Sequence, residues 1–432
     1  MREALSRHVV DVRPLRASPA YRSWWLGSSL SLLGGQLTAY ALLYTVWTHT
    51  HRASWVGALA VVELVPTVLG ALLGGSLADR MDRRRLVVCT RVGQLVASTG
   101  LAVAVATGAP LGLVFVLAAL LSGFGSAGAP ADRSFTARLL PGDLLAAGLA
   151  LSRLAWQVTL LLGPALAGVL TTVVGVQVCF VVDAVTFAGA LWGLAALPVM
   201  RPERSVGPDL HGLGGAVRLV LGNRVLLGAF ATDLAATVLA MPVALFPVIN
   251  AEAYGGSAIT LGLFAPAIGL GGMAAAALSG RVTASARPGR LMLGSAGVWA
   301  LALGCFGLTR ELWLGLLCLA IAGAADTVSV VSRTAIVQHA TPDSARGRVN
   351  ALDYLVGVSG PQLGNFRAGL VASATSGAAS AVIGGIASLL AVAAVTATGP
   401  SLRRWTTADS VEVSPPGHPR DDPSDDPEGV LT

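Results

Sequence analysis

The sequence predicts an all-α integral membrane protein with about twelve transmembrane helices in two pseudo-symmetric halves of six. The first observation is composition: of 432 residues, 54% are hydrophobic, only 12% are charged, and the mean hydropathy is +0.71. Soluble domains carry about 25% charged residues. The second observation is that the apolar runs reach the roughly 20 residues that a membrane helix needs. They also lack the alternating polarity of a membrane barrel.

Charged, glycine and proline residues divide the chain into twelve predicted spans. The first half (24–198) has spans at about 24–48, 54–77, 86–107, 111–131, 145–173 and 176–198. The second half (225–399) has them at about 225–249, 257–280, 289–309, 312–337, 349–373 and 378–399. A segment at 1–23 precedes the first half, and a polar linker at 199–224 with an amphipathic run from Leu210 joins the halves. The tail at 400–432 is polar, and we expect it to be disordered.

The distribution of arginine predicts the orientation. All 29 basic residues are Arg, and 23 of them fall in the termini and alternate loops on one side of the predicted bundle. Only Arg52 and Arg310 lie in loops on the other side. Because cytoplasmic loops carry the excess of basic residues, we expect a multi-pass protein of the plasma (inner) membrane with both termini in the cytoplasm. The pI of about 9.7 then reflects topology and indicates no nucleic-acid partner.

A charged turn separates spans two and three, and Gly70 and Gly74 before it form a small-xxx-small face that permits close helix packing. This turn resembles the loop signature between helices two and three of the major facilitator superfamily, although Asp82 stands where that family usually has Gly. The resemblance extends over about residues 20–400 and implies a gating role for the turn. The matching residues are Gly75, Asp79, Arg80, Arg83 and Arg84. We expect Asp79 to face the positive N-terminal end of span eleven.

Span five contains a second resemblance. Its Gly163-Pro164-x-x-x-Gly168 sequence resembles the superfamily signature of exporters that exchange substrate against protons. The alternative is a proline kink that needs small neighbours. Arg153 and Gln157 lie on the same stripe, and with Gly163 and Pro164 they are candidates for the substrate path.

The two halves also show a weak internal repeat. Residues 163–170 of span five correspond to residues 364–371 of span eleven, so that Gly168 matches Gly369. Many secondary transporters are built from duplicated halves, with the substrate path at their interface.

Acidic residues inside the spans require an explanation, because a charge near the bilayer centre costs about 2.5–3.5 kcal/mol. Glu63 lies halfway along span two on the face of Gly70, and Asp233 lies near the middle of span seven. Each is a candidate for proton coupling or substrate contact, and Glu63 is the first choice as proton carrier. The alternative is a hydrogen bond that packs helices together. For Asp183 in span six, a structural hydrogen bond is the preferred interpretation.

Span ten carries a polar face. Asp326, Ser329 and Arg333 follow each other at i, i+3 and i+7, which spaces Asp326 and Arg333 by about 10 Å. This distance is too long for direct pairing, so we expect each to find a partner on another helix, near Asp353, in a network at the inner gate. We expect Arg91 in span three to extend towards the cytoplasm.

In span one, Gln36 and Tyr40 lie at mid-span, where they are positioned to bond or stack against an aromatic cargo or to fill a structural role. The sequence contains no motif for ATP hydrolysis, covalent catalysis, metal or cofactor binding. No enzymatic activity is therefore predicted, and the expected partners are a small-molecule substrate, protons and the lipid bilayer.

Residues 278–293, 318–323 and 341–352 resemble the enterobactin (catecholate siderophore) exporter subgroup. The resemblance implies proton-coupled efflux of a siderophore-like molecule by alternating access. Macrolide-type drug exporters share much of this pattern, so drug efflux is an alternative. A membrane sensor or scaffold that transports nothing is a third.

Overall fold

The computed structural model describes residues 11–200, 210–277 and 285–406. Twelve helices in these ranges correspond to the twelve predicted spans, and we label them α1 to α12. In the first half they are α1 Pro19–Thr50, α2 Ala53–Ala78, α3 Arg83–Ala106, α4 Leu111–Arg133, α5 Gly142–Val173 and α6 Gln177–Ala195. In the second half they are α7 Arg224–Ala240, α8 Ala258–Ala277, α9 Pro288–Leu308, α10 Leu312–Ala340, α11 Asp343–Ala374 and α12 Gly377–Thr398.

Short helices occupy Arg13–Ala17, Phe135–Leu139, Leu210–Gly222, Phe246–Ala253 and Pro400–Arg404. Within the described residues, ten of the helical segments are long and apolar enough to cross a membrane. The 32-residue helices α1 and α11 are not among the ten. Both carry polar side chains along their length, such as Gln36 in α1 and Asp353 in α11. The prediction of an all-α multi-pass membrane protein is confirmed.

The predicted seventh span is not one continuous helix. Helix α7 ends at Ala240, and a 3-10 turn at Val243–Leu245 leads into the helix Phe246–Ala253. Pro242 lies in the break, where its missing N–H and its ring stop a helix from continuing. The break is buried, so its backbone groups need partners from other helices. Asn365 of α11 supplies one, because its Oδ1 accepts from the N–H of Ala244 at 3.0 Å.

The helical region begins earlier and ends later in the chain than the sequence predicts. Helix α1 begins at Pro19, ahead of the predicted 24, because Ser18 caps it by accepting from the N–H of Tyr21 at 3.1 Å. The expectation of disorder from residue 400 is wrong for the helix Pro400–Arg404. There Leu402 and Trp405 are buried in the apolar core of the second half. The rest of the predicted tail, 407–432, lies outside the described residues, as do 1–10 and 201–209 of the other polar segments.

The helix contacts repeat after a shift of six helices. Helix α1 packs on α5 and α6, as α7 packs on α11 and α12. Helix α4 packs on α2 and α3, as α10 packs on α8 and α9. Two large contacts join the halves, α2 with α11 and α5 with α8, and the shift of six converts each of them into the other. The bundle is therefore built from two halves with the same internal arrangement.

Glycines form both contacts between the halves. A Cβ on Gly369 would meet the Ala53 carbonyl and the Cα of Gly57, so α11 and α2 touch through their backbones. A Cβ on Gly168 would likewise meet the Ala258 carbonyl of α8. Gly168 and Gly369 are the glycines matched by the sequence repeat, and the repeat therefore marks the two crossings between the halves.

The two ends of the bundle are packed differently. We call the end with loop 51–52 the joined end and the end with turn 79–82 the turn end. At the joined end one apolar cluster includes side chains of both halves, among them Phe246, Phe264 and Phe306, whose ring centroids lie 5.4–6.1 Å apart. Towards the turn end each half has its own cluster. The halves thus share one apolar cluster at the joined end and have separate clusters at the other, where Arg133 of α4 still contacts the ring of Tyr354 on α11, 5.2 Å from its centroid.

Candidate functional site

A cavity of about 420 Å³ lies between the halves. This size is within the range of small-molecule sites. The first half lines it with Gln36, Ala39, Tyr40, Leu43, Leu160 and Pro164. The second half contributes side chains from α7 to α11, and all charged lining residues belong to this half: Asp233, Asp326 and Arg333. The cavity therefore has one uncharged wall and one charged wall.

An ion-pair network forms the charged wall. Arg333 of α10 approaches Asp233 of α7, with Nη1 2.5 Å from Oδ2, and its Nε lies 3.6 Å from Oδ1 of Asp353 on α11. The side chains of Arg333 and Asp233 are about nine-tenths buried, so mutual attraction offsets the cost of removing both charges from water. Arg333 thus has partners on two other helices. Its link to Asp233 was missed, because nothing in the spacing of α7 and α10 indicates that these residues meet.

Asp326, on the same helix as Arg333, lacks the predicted partner on another helix. In the described part of the chain it makes no hydrogen bond or ion pair, whereas its helical spacing predicted a partner on another helix. The physical reason is its position: its side chain lies deep in the bundle and opens onto the cavity, where no helix faces it at bonding distance. Asp326 is influenced by Asp233 and Arg333 only through longer-range electrostatics.

Gln36 and Tyr40 form part of the uncharged wall. The hydroxyl of Tyr40 donates to the carbonyl oxygen of Ala258 on α8 at 2.7 Å, which links the first half to the second. Gln36 lies against Gly163, so that α1 and α5 pack closely here. Both side chains reach the cavity, but the Tyr40 hydroxyl is already engaged in holding the halves together.

Helix α5 carries four residues of the predicted substrate path, and not all of them reach the cavity. Pro164 lines the cavity, and its carbonyl lies against Gly262 of α8. Arg153 lies three turns closer to the turn end, is exposed, and holds its guanidinium carbon 4.9 Å from the ring centroid of Trp156. Neither Arg153 nor Gln157 is among the lining residues of this cavity. Of the predicted path residues on this helix, only Pro164 lines the enclosed space, with Gly163 packed beside it.

Glu63 lies where α2 meets α11, at the boundary of the halves. Its carboxyl group lies near the side chain of Gln362 on α11. Its backbone carbonyl accepts from the hydroxyl of Ser122 on α4 at 3.4 Å. Gly70 and Gly74, further along α2, pack against α4. Glu63 is therefore next to protein on both sides, and its carboxyl group lies near the opposite half.

The charged turn caps two helices. The guanidinium of Arg84 donates to the Leu194 and Ala195 carbonyls at the C-terminal end of α6, both at 3.0 Å. Basic groups at this end of a helix satisfy the last carbonyl oxygens and complement the dipole. Arg80 is exposed, Arg83 is half-buried, and Asp79 is half-buried at the end of α2. The structure thus gives Arg84 a capping role that the family signature does not imply.

Asp82, which departs from the family signature, also bonds in two directions. Its Oδ1 accepts from the N–H of Arg85 at 2.8 Å and caps α3. Its Oδ2 accepts from the N–H of Met200 at 2.7 Å. The carboxylate therefore joins the turn to the segment where the central linker begins. An Asp immediately before a helix is a recognised N-cap signal, so the first of these contacts was predictable.

A separate ion pair lies inside the first half. Arg91 of α3 contacts Asp132 of α4 at 3.1 Å and also donates to Ser31 and Gln94. Asp132, in the last turn of α4, supplies a countercharge to Arg91 that the sequence pattern did not indicate. Asp132 also accepts from Trp24 Nε1 at 2.8 Å.

Asp183 has a structural environment. Its Oδ2 accepts from Thr38 at 2.8 Å and from Ser98 at 2.9 Å, and the residue is fully buried. These bonds join α6 to α1 and α3. No charged group lies in hydrogen-bond contact with it within the described residues.

Comparisons with known proteins agree with this architecture. The model of the family described as transmembrane secretion effector matches residues 11–422. The enterobactin exporter EntS of Citrobacter koseri is 28% identical over 379 residues, which cover 87% of this chain and 91% of that protein. EntS of Shigella flexneri is 29% identical over 384 residues, covering 88% and 92%.

Solved transporter structures share the fold. The nucleoside transporter NupG superposes with a TM-score of 0.71 at 13% identity, covering 88% of this chain and 98% of that one. A bacterial homologue of the iron transporter ferroportin, in the inward-facing state, gives 0.67 at 17% identity, covering 89% and 99%. These likenesses establish the fold, and the predicted resemblance to the major facilitator superfamily is confirmed.

Proposed function

The chain belongs to the transmembrane secretion effector family of major facilitator transporters, and on this basis we propose that it is a proton-coupled exporter of a siderophore-like small molecule. The relatives named as enterobactin exporters cover most of the chain and support this cargo class. One observation carries the proposal. Two halves joined at glycine crossings enclose a cavity whose wall contains buried carboxylates.

Alternating access is supported by the packing at the two ends. The halves share one apolar cluster at the joined end and have separate clusters towards the turn end. We propose that the described arrangement is closed at the joined end, which faces outside, and that transport exchanges it for the opposite one. The excess of Arg at the turn end supports a cytoplasmic position for that end and for both termini. Asp79, Arg80 and Arg83 would then act at the inner gate.

Proton coupling is assigned to Glu63 and Asp233. Glu63 lies near Gln362 across the boundary of the halves, so a proton on its carboxyl group would alter an interaction that must change during transport. Protonation of Asp233 would weaken its hold on Arg333, which has Asp353 beside it as a second partner. Each acid therefore connects a proton to a rearrangement between helices.

The test is uphill export by purified protein in proteoliposomes under an imposed pH gradient, with a catecholate siderophore as cargo. We expect Glu63→Gln, which mimics the protonated acid, to abolish uphill export and to retain downhill exchange. Asp233→Asn is the parallel test. Glu311→Gln, an exposed carboxylate at the start of α10, is the matched control and should export normally. Unchanged uphill export in both variants would place coupling elsewhere.

Drug efflux is the second candidate, and the apolar part of the cavity lining favours it. The same proteoliposomes loaded with a macrolide decide between the two cargoes. If folded wild-type protein moves neither compound, nor any other member of a siderophore and drug panel, the sensor or scaffold interpretation replaces export.

A further inference from the structure

The cavity has an imbalance of charge that bears on its ligand. Its charged lining residues are two carboxylates, Asp233 and Asp326, and one guanidinium, Arg333. The guanidinium is already neutralised by Asp233 at 2.5 Å and is approached by Asp353 at 3.6 Å. The carboxylate of Asp326 therefore has no cation left to pair with among the lining residues.

The lining also includes Trp299, which is only 6% exposed. Its indole N–H has no hydrogen-bond acceptor within the described residues, and its nitrogen has almost no accessible surface. Trp299 therefore contributes its ring to the lining and not its N–H donor.

The remaining surface is apolar and aromatic. Tyr40, Phe246 and Trp299 contribute rings to the lining, together with aliphatic side chains. Aromatic rings attract cations through their quadrupole, and the attraction is strongest where water is excluded. An anionic cargo would instead meet carboxylates and ring faces, both of which repel it.

We infer that the cavity binds an amphipathic organic cation, with its protonated nitrogen at Asp326 and its apolar body against the rings. The inference narrows the cargo of the proposed export function to molecules with a basic nitrogen, whether a drug or an amine-bearing siderophore. Binding can be measured without transport, so the cation-binding proposal and the export proposal can be refuted independently of each other.

The test compares two ions of the same shape and opposite charge. Tetraphenylphosphonium and tetraphenylborate are equilibrated with purified protein in lipid nanodiscs, and bound ligand is counted against empty nanodiscs. We expect saturable binding of the phosphonium only. Asp326→Asn should weaken it by about tenfold or more, as expected for loss of a charged partner. Asp326→Glu should retain most of it, and the exposed Asp143→Asn should change nothing.

Trp299→Leu tests the ring contact, because it keeps an apolar side chain and removes the aromatic ring. It should weaken tetraphenylphosphonium binding several-fold, since the attraction of the ring for the cation is lost. Equal binding of both tetraphenyl ions, or full phosphonium binding by Asp326→Asn, overturns the inference. Export of a siderophore by a protein that binds no phosphonium refutes the cationic cargo alone, whereas phosphonium binding without export of any cargo refutes only the transport proposal.

Discussion

The two halves of the bundle share one pattern of helix contacts but differ in where they carry charge. In the first half Arg91 pairs with Asp132 away from the cavity. In the second half Arg333 and Asp233 lie on the cavity wall, with Asp326 beside them. The two halves thus have the same arrangement of helices but place different charged residues on it. The charged lining of the cavity belongs to one half, whereas the contacts that join the halves belong to both.

The largest effect should follow from breaking the charged wall. Arg333→Gln leaves Asp233 buried without its cation, which we expect to destabilise the protein by about 3–5 kcal/mol and to abolish uphill export. Thermal unfolding of purified protein and proteoliposome export measure the two effects. The double variant with Asp233→Asn removes both charges and should recover much of the stability without recovering export. A double variant that exports normally would show that the pair is only structural.

Valine substitutions at the two glycine crossings should have equal effects on the joined end and on export. Gly369→Val and Gly168→Val each place a Cβ against backbone of the opposite half, and overpacking of this kind costs about 1–3 kcal/mol. We expect the joined end to open and export to fall about tenfold or more. Disulfide formation between Ser54→Cys and Ser373→Cys, residues now linked at 2.7 Å, reports the opening.

Gly294→Val is the matched control for these variants, since nothing lies within 4 Å of its added Cβ and the residue is exposed. It should form the disulfide and export as the unmodified protein does. If only one crossing variant opens the joined end, the two contacts are not equivalent despite their related positions.

Sequence patterns predicted the parts of this fold that depend on local physics. Span length and charged breaks located the twelve helices, because lipid excludes both polar backbone and charge. The match of Gly168 with Gly369 indicated duplicated halves, and both glycines lie at the crossings. Even the break at Pro242 was open to prediction, since proline cannot continue the hydrogen bonding of a helix.

The same sequence patterns could not predict which residues of distant helices pair with each other. The pairing of Arg91 with Asp132 was missed because the two residues lie on different helices. Asp326 was expected to pair, but the helices around it leave a cavity. Helical spacing gives the face that a residue occupies and not the helix opposite it. The chemistry of the site therefore required the three-dimensional arrangement.

The ion pair of the first half should contribute stability without a role in transport. Arg91→Gln retains a donor but leaves Asp132 without its cation, and we expect a loss of about 1–2 kcal/mol. Both side chains keep about a fifth of their surface exposed, which moderates the cost. Export per folded molecule should match the unmodified protein. A loss of export at full stability would give this ion pair a direct role in transport and remove the contrast between the two ion pairs.

The smallest effect concerns the turn that only the first half retains in full. Asp82 caps α3 and holds the N–H of Met200, whereas the corresponding stretch of the second half, 280–290, contains no Asp. We expect Asp82→Ala to destabilise the protein by about 1 kcal/mol and to speed proteolysis after Met200, because the start of the linker loses its anchor. Asp82→Asn keeps an acceptor for the cap and should have the smaller effect. Limited proteolysis followed by mass spectrometry measures the release, with thermal unfolding as the measure of the cap. Equal cleavage rates in all three proteins would mean that the backbone bond from Arg83 N–H to the Met200 carbonyl, at 3.1 Å, holds the linker without help from the carboxylate.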